Sequence, residues 1–145
     1  DDALANGARL LAGGEINGRY VSPTVFADVD SGMLLYREES FGPVCSIFVA
    51  RDDDDAVRIA NDSEYGLTAG VMTRDEERGL NIINRLDTGN CHLNCSPVND
   101  EPHAPFGGFK ASGSGKHGGR WAMETFTETR WITMDRGQRH YPPVF

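Results

Sequence analysis

The mostly apolar run at residues 43–50 constrains the fold of this chain more than any other segment. Its sequence is Pro-Val-Cys-Ser-Ile-Phe-Val-Ala, which has the length of one β-strand. A run with so little polar alternation suits a strand that is buried on both faces, as in a parallel sheet covered by helices. The run therefore predicts an α/β fold.

Helix and strand signals alternate after this run. Four aspartates at residues 52–55 lead into a helical segment at residues 56–61. A strand is predicted at residues 69–73, a helix at residues 75–86 and another strand at residues 91–95. This order predicts a layer of strands joined by right-handed crossovers. The aspartates lack the ligand spacing and the central glycine of a calcium loop, so we interpret them as a helix cap and expect no metal site there.

The flanking segments complete the predicted organisation. The end of a helix runs into a short strand at residues 4–11, and a β-rich stretch occupies residues 20–29. Residues 96–119 are rich in proline and then in glycine, which predicts a long ordered loop of the kind that often carries function. A short helix should follow at residues 121–126. The side chains of residues 127–134 then alternate in the way typical of a β-strand, which predicts an exposed apolar edge strand. Such a strand can pair with another chain.

Composition argues against several classes of protein. The net charge of −8, from 14 basic and 22 acidic residues, argues against nucleic acid as the main partner. No apolar run approaches the roughly 20 residues that span a bilayer, so no membrane partner is expected. Three cysteines do not make a disulfide framework and indicate a reducing cytoplasm. The absence of an initiator Met suggests a piece of a longer chain, although trimming of a short protein would look the same.

Two motifs are specific enough to indicate a family. Residues 38–44 are Glu-Glu-Ser-Phe-Gly-Pro-Val, and residues 105–115 are Pro-Phe-Gly-Gly-Phe-Lys-Ala-Ser-Gly-Ser-Gly. The chain resembles the aldehyde dehydrogenases, which carry E-E-x-F-G-P-V and P-F-G-G-x-K-x-S-G-x-G. Residues 61–73 are similar to the family's stretch between these motifs, and residues 127–133 are similar to its closing strand. The similarity is collinear over nearly the whole chain and points to the C-terminal part of a subunit.

The resemblance implies a division of the chain. Residues 1–126 would be the C-terminal portion of a catalytic domain, a parallel sheet with flanking helices. Residues 127–145 would be an oligomerisation strand and tail. The strand from Thr127 to Met134 would join partner subunits in a homo-oligomer, and the remainder of the chain's own subunit would be a further partner.

The resemblance also implies roles for individual side chains. Glu39 would hold the nicotinamide ribose of NAD or NADP, since a carboxylate can accept bonds from both hydroxyls of a diol. Phe41 would lie against the nicotinamide side as a flat apolar wall, and Leu67 would sit near the same pocket. Phe106 resembles the phenylalanine that helps to wall the substrate tunnel, with ordinary core packing as the open alternative. Glu38 is expected to be structural.

No catalytic residue is assigned within this chain. In the family, the nucleophilic cysteine and the glutamate that activates water lie before the stretch present here, so the chain alone is expected to be inactive. Cys45 lies in the predicted buried strand, where a thiol is usually inert packing. Cys91 and Cys95 would lie about 13 Å apart along one strand face at ~3.3 Å per residue, too far for one metal or one disulfide. His117 replaces a glutamate found in many members, and a proton relay or a packing role is open.

The last third of the chain is similar to the branch of the family that oxidises benzaldehyde, salicylaldehyde and vanillin. The similarity lies in residues 99–101, 126–133 and 140–143. It predicts an aromatic aldehyde as substrate, over aliphatic aldehydes or semialdehydes, with residues 98–100 near the tunnel mouth. Two other functions stay open, namely a non-catalytic oligomerisation module of the same fold and a self-sufficient small binding domain.

Overall fold

The computed structural model describes residues 1–137 and 140–142. Short helices and strands alternate along the chain, and none of the helices in this described part is long and apolar enough to cross a membrane. The elements in chain order are α1 (Asp2–Ala5), β1 (Arg9–Ala12), β2 (Ile16–Asn17), β3 (Tyr20–Val21), β4 (Thr24–Ala27), α2 (Leu34–Arg37), β5 (Val44–Ile47), α3 (Asp53–Asn61), β6 (Tyr65–Gly66), β7 (Thr68–Val71), α4 (Glu76–Ile83), β8 (Asn90–Leu93), β9 (Phe109–Lys110) and α5 (Gly119–Phe126).

Two pairs of parallel strands organise the molecule. β4 and β5 pair with Val25 opposite Cys45, and β1 extends this sheet as an antiparallel strand on the other side of β4. β7 and β8 pair with Ala69 opposite Cys91. Parallel strands whose connections contain helices confirm the α/β class that the sequence predicts.

The predicted single layer is wrong in one respect. β5 pairs with β4 and β7 pairs with β8, so β5 and β7 belong to separate sheets. The crossover through α3 therefore joins two sheets, and not two neighbouring strands of one sheet. The order of elements along a chain does not specify which strands are neighbours, because strands far apart in sequence can pair. Within the described residues, β5 and β7 each have one edge without a strand partner.

The four aspartates act in and around α3. Asp52 caps the helix, since its carboxylate accepts a 2.8 Å hydrogen bond from the Asp55 backbone N–H. The capping interpretation is thus confirmed for Asp52. The other three carboxylates pair with arginines, and those of Asp53 and Asp54 connect α3 to α4 and the residues just after it. We name this surface the aspartate–arginine face. Its pairs are Asp53 with Arg78, Asp54 with Arg85, and Asp55 with Arg51 and Arg58.

Burial is low in this chain. Its solvent-accessible surface is 11573 Å², whereas a compact monomer of its 15.9 kDa mass exposes about 7,400 Å². The core is a small cluster of Ala3, Ala8, Val29 and Met33, with Phe26 packed against it. The chain therefore exposes roughly 4,000 Å² more than a compact fold of the same mass.

Strand β5 is not buried on both faces, contrary to the sequence prediction. Cys45 is exposed, and Ile47 and Val49 are 49% and 91% exposed. The prediction of an inert, packed Cys45 thiol is therefore also wrong for this chain. Packing of a thiol needs a second layer over the strand, and the described residues do not provide one. We name the exposed side chains of Cys45, Ile47 and Val49 the β5 face.

Residues 127–134 form no strand in this structure, so the predicted edge strand is wrong for the chain by itself. A β-strand exists through hydrogen bonds to a neighbour, and no strand of the described part pairs with this segment. Its apolar side chains Trp131, Ile132 and Met134 are 91%, 74% and 73% exposed. The tail beyond it includes residues 138–139 and 143–145, which lie outside the described residues.

Candidate functional site

The motif at residues 38–44 follows α2, and the end of α3 holds α2 in place. The Tyr36 hydroxyl donates a 2.7 Å hydrogen bond to one carboxylate oxygen of Asp62, and Arg37 donates a 3.0 Å bond to the other. The hydrogen bonds from Tyr36 and Arg37 keep the pKa of Asp62 below its ordinary value, and the bond to Asp62 raises the pKa of Tyr36. Glu38 then leaves α2 in an extended conformation.

Phe41 has a backbone conformation that is uncommon for its residue type. Its φ angle is +50°, in the left-handed region, and its side chain is 92% exposed. The next two residues turn the chain into β5. The Val44 N–H donates to the Gly42 carbonyl at 2.7 Å, and the Pro43 carbonyl accepts a 2.8 Å bond from the Thr24 N–H. The turn that presents Phe41 is thus tied to both strands of the β4–β5 pair.

Glu39, Phe41 and Leu67 line one cleft of about 700 Å³, which we name the Glu39 cleft. The structure therefore brings together the three residues that the sequence predicts as cofactor contacts. Glu38 instead borders a separate cleft of about 420 Å³, which Glu39 also reaches. Further walls of the Glu39 cleft come from β6, β7 and the segments before β6, before β8 and after β9. They include Ser63, Tyr65, Thr88 and Ser112.

Lys110 supports the Leu67 side of this cleft. It lies on β9, which pairs with β6 immediately before Leu67. Its Nζ donates hydrogen bonds to the Asn61 and Ser63 carbonyls at 2.9 and 3.1 Å. Lys110 is therefore a structural donor, and it ties the glycine-rich segment to the end of α3.

Phe106 lines a different cleft of about 300 Å³, which we name the Phe106 cleft. The Phe106 backbone pairs with that of His117 through N–H to carbonyl bonds of 2.7 and 3.0 Å, one in each direction. The His117 ring lies against Phe126, with ring centroids 5.7 Å apart, so the packing role left open for His117 has a contact in the structure. Of residues 98–100, Asn99 and Asp100 line the Phe106 cleft.

The two clefts share no lining residue, but Gly89 and Asn90 of the Phe106 cleft take part in a hydrogen-bonded junction beside the Glu39 cleft. Lys116 Nζ donates to the Gly107 and Gly89 carbonyls at 2.8 and 3.3 Å. Asn90 Nδ2 donates to the Gly107 carbonyl and also to the Leu67 carbonyl. A Cβ on Gly89 would lie 1.8 Å from the Gly107 carbonyl oxygen, so the backbones approach this closely only with glycine at position 89.

Asn90 is not among the residues that the sequence predicts for the site. The available signal was a side-chain amide that directly precedes the predicted strand at residues 91–95. A buried or half-buried amide needs hydrogen-bond partners. The sequence does not say which carbonyls those partners are, because they come from residues far away in the chain.

The cysteines lie differently from the prediction. β8 ends at Leu93 and Asn94 has a φ angle of +56°, so Cys95 lies beyond the strand and not on one face with Cys91. Cys91 Sγ lies 3.0 Å from the Thr88 hydroxyl oxygen and lines the Phe106 cleft. Among the residues that the structure describes, no three His, Cys, Asp or Glu side chains group to hold a metal ion.

The chain is similar to known aldehyde dehydrogenases over nearly its whole length. The model described as "Aldehyde dehydrogenase family" matches residues 1–132. The chain is 47% identical to a vanillin dehydrogenase of Pseudomonas fluorescens, over 98% of the chain and 30% of that protein. It is 46% identical to an NAD(+) benzaldehyde dehydrogenase of Pseudomonas putida, over 98% of the chain and 29% of that protein. The chain thus spans less than a third of the length of these curated relatives.

Solved structures agree with these matches. A salicylaldehyde dehydrogenase of Pseudomonas putida G7, complexed with salicylaldehyde, superposes with a TM-score of 0.90 at 39% identity, over 97% of the chain and 29% of that structure. A Mycobacterium tuberculosis aldehyde dehydrogenase complexed with NAD+ gives a TM-score of 0.84 at 38% identity, over 96% of the chain and 29% of that structure.

Proposed function

This chain belongs to the aldehyde dehydrogenase family, and from that premise we propose that it is the C-terminal part of an NAD(P)-dependent enzyme that oxidises an aromatic aldehyde to the carboxylic acid. Within that enzyme the chain contacts the nicotinamide ribose, walls part of the substrate tunnel and forms the subunit interface. The nucleophilic cysteine and the general-base glutamate come from the remainder of the subunit. The observation that carries the proposal is the meeting of Glu39, Phe41 and Leu67 on one cleft.

The Glu39 cleft fits the nicotinamide end of NAD or NADP. The Glu39 carboxylate is exposed in the cleft, and its two oxygens can accept hydrogen bonds from both hydroxyls of a ribose. The negative charge strengthens such bonds. The exposed Phe41 ring is a flat apolar surface that restricts the tilt of a nicotinamide placed against it. When bound, the dinucleotide accepts the hydride from the substrate.

The Phe106 cleft supports the assignment of an aromatic aldehyde. A half-buried Phe106 ring offers offset-stacked or edge-to-face contact to an aromatic substrate, which is worth about 0.5–1.5 kcal/mol beyond the area buried. Relatives named vanillin, benzaldehyde and salicylaldehyde dehydrogenase match over nearly the whole chain. These names describe the relatives, and they support the same substrate class for this protein.

The remainder of the subunit is the partner that covers the β5 face. The chain exposes roughly 4,000 Å² more than a compact fold of its mass, and the β5 edge without a strand partner lies beside the exposed Ile47 and Val49. Exposed apolar side chains beside a strand edge that lacks a partner mark an interface. We therefore assign one preceding portion of the polypeptide to this face, and the chain alone is inactive because its nucleophile lies there.

The tail at residues 127–134 is the proposed contact between subunits of a homo-oligomer. Its exposed Trp131, Ile132 and Met134 would become buried when the segment pairs as a strand with a partner copy. A full-length protein truncated after Phe126 should form an oligomer with fewer subunits than the intact protein, as measured by its molar mass in light scattering. An unchanged number of subunits would contradict this contact.

We place the enzyme in a reducing cytoplasm. The three cysteines are free thiols in the structure, and two of them are exposed. Exposed unpaired thiols are compatible with a compartment where thiols stay reduced. Location of the full-length protein in a cell fraction that oxidises thiols would contradict this placement.

Glu39→Gln in the full-length polypeptide tests the proposed function, with Glu38→Gln as the matched control. Glu39→Gln removes a charge-assisted acceptor, so the KM for the dinucleotide should rise about tenfold or more. Glu38 lies outside the Glu39 cleft, and its substitution should leave this KM within about twofold. Equal effects of the two substitutions would remove Glu39 from the cofactor site.

A panel of aldehydes tests the substrate class with the same protein. Benzaldehyde, salicylaldehyde and vanillin should give a higher kcat/KM than acetaldehyde and propionaldehyde. A preference for the short aliphatic aldehydes would remove the aromatic assignment. An intact oligomer that reduces neither NAD nor NADP with any of these aldehydes would support a non-catalytic oligomerisation module instead.

A further inference from the structure

Asn90 lines the Phe106 cleft, and its side chain bonds to a residue of the Glu39 cleft. It is the half-buried first residue of β8. Its Nδ2 donates a 2.9 Å hydrogen bond to the carbonyl of Leu67, which lines the Glu39 cleft. The same Nδ2 donates a 3.3 Å bond to the carbonyl of Gly107, the residue directly after Phe106. One side-chain amide thus joins the two clefts.

The chemistry of this bridge requires an amide. A carbonyl oxygen only accepts hydrogen bonds, so a group that joins two carbonyls must supply two donors, and the NH₂ of Asn does so without a charge. An aspartate has the same shape, but when ionised it has no donor and would direct negative charge at both carbonyl oxygens. The Thr88 hydroxyl donates a 3.1 Å bond to the Asn90 carbonyl and helps to hold the backbone from which the amide projects.

Each of the bridged carbonyls keeps another partner when the amide is removed. The Leu67 carbonyl also accepts a 3.1 Å bond from the Asn90 backbone N–H. The Gly107 carbonyl also accepts a 2.8 Å bond from Lys116 Nζ. Loss of the amide therefore removes one direct link between the two sides, while Lys116 and the Asn90 backbone keep each side anchored, so a substituted protein should still fold.

We propose that Asn90 is a positioning residue for hydride transfer, because its amide sets the distance between the Leu67 and Phe106 segments. A cofactor held on the Leu67 side and a substrate held on the Phe106 side then meet in one geometry. Misplacement of reacting groups by about 1 Å lowers a rate on the order of a hundredfold. The inference rests on the proposed function of the two clefts.

The test uses the full-length polypeptide with Asn90→Leu, Asn90→Asp and Asn90→Gln. Asn81→Leu on the exposed face of α4 is the control. In Asn90→Leu, kcat should fall about tenfold or more, while the KM values for dinucleotide and aldehyde stay within roughly threefold. The fall should be at least as large in Asn90→Asp, and Asn90→Gln should recover a part of it because it restores two donors. Asn81→Leu should match the wild type.

A kinetic isotope effect separates positioning from simple loss of folded enzyme. With benzaldehyde deuterated at the formyl carbon, the isotope effect on kcat should rise in Asn90→Leu, because a misplaced hydride transfer becomes rate-limiting. A smaller folded fraction would lower kcat and leave the isotope effect unchanged. An unchanged isotope effect in Asn90→Leu, or the absence of any recovery in Asn90→Gln, would overturn the proposal.

Amide hydrogen exchange tests the bridge without any activity. Asn90→Leu should speed exchange in the peptides around Leu67 and around Phe106, and leave the peptides of α3 and α4 unchanged. Faster exchange at both clefts in a protein that oxidises no aldehyde would keep the bridge and reject the proposed function. Unchanged exchange at either cleft would overturn the bridge itself.

Discussion

The aspartate–arginine face and the β5 face differ in whether their side chains have partners within the chain. On the first, Asp53, Asp54 and Asp55 all have arginine partners within the chain. On the second, Ile47 and Val49 are exposed, and the β5 edge has no strand partner in the described part of the chain. Charged pairs are stable in contact with water, whereas exposed apolar strands are not. The first face is therefore complete within the chain, whereas the second leaves apolar side chains in contact with water.

The largest expected effect concerns activity. The 145-residue chain alone should give no reduction of NAD or NADP with benzaldehyde, whereas the full-length polypeptide should turn over many times. The reason is that, in the proposed function, the nucleophile comes from the portion of the polypeptide that covers the β5 face. Absorbance at the wavelength of the reduced nicotinamide measures the difference. Turnover by the isolated chain would show that the chain is complete in itself.

The next effect concerns Gly89. Its close contact lies within the chain, as do the ion pairs of the aspartate–arginine face, so its substitution should have the same effect in the isolated chain and in the full-length protein. A Cβ there would lie 1.8 Å from the Gly107 carbonyl oxygen, so the backbone must shift in Gly89→Ala. We expect a loss of about 2–4 kcal/mol of unfolding free energy, both in the isolated chain and in the full-length protein. Gly137→Ala is the control, because a Cβ there meets nothing within 4 Å. Urea unfolding measures both, and equal stabilities would contradict the close approach.

A smaller effect concerns Cys45, which reports on the β5 face directly. Its thiol is exposed in this chain, so iodoacetamide should modify it readily. In the full-length protein a covering layer should slow this reaction on the order of tenfold or more. Mass spectrometry of the peptide that contains Cys45 measures the rate, with Cys95 as the exposed internal reference. Equal rates of Cys45 modification in the two proteins would show that the β5 face is not covered in the full-length protein.

The smallest effect concerns acid stability of the aspartate–arginine face. Hydrogen bonds from Arg51 and Arg58 hold the pKa of Asp55 well below its usual range, and a bond from Arg78 lowers that of Asp53. A carboxyl whose pKa is lower in the folded state stabilises the fold above its unfolded pKa of about 4. That contribution is lost as the pH falls through the lower folded value.

Urea midpoints between pH 6 and pH 3 test this dependence. The wild type should keep a constant contribution from Asp55 above about pH 4 and lose it below. Asp55→Asn should start lower at pH 6 and fall less steeply, because it has no carboxyl to protonate at this position. Parallel pH curves for the two proteins would show that the Asp55 pairs add no pH-dependent stability.

Much of the fold was predictable because its signals are local. A capping aspartate before α3, β-rich runs at β4, β5 and β7, and apolar periodicity in α4 each depend on a few consecutive residues. The grouping of strands was not predictable in the same way. β5 and β7 are separated in the chain by α3 and the short β6, and they lie in separate sheets.

The candidate site shows the same division. The resemblance predicted Glu39, Phe41, Leu67 and Phe106 as contact residues. Only the structure shows that Phe106 lines a separate cleft. Asn90 belongs to no motif. Its two acceptors lie 23 and 17 residues away in the chain, and nothing in the local sequence names them.

The sequence by itself determined the α/β class, the helix caps and the family, because each depends on residue types at short spacing. The tertiary structure decided which strand edges are free, which apolar side chains are exposed and which carbonyls Asn90 joins. These features depend on contacts between distant segments. The apolar run at residues 43–50 illustrates both parts, since its composition specifies a buried strand and the chain by itself leaves that strand uncovered.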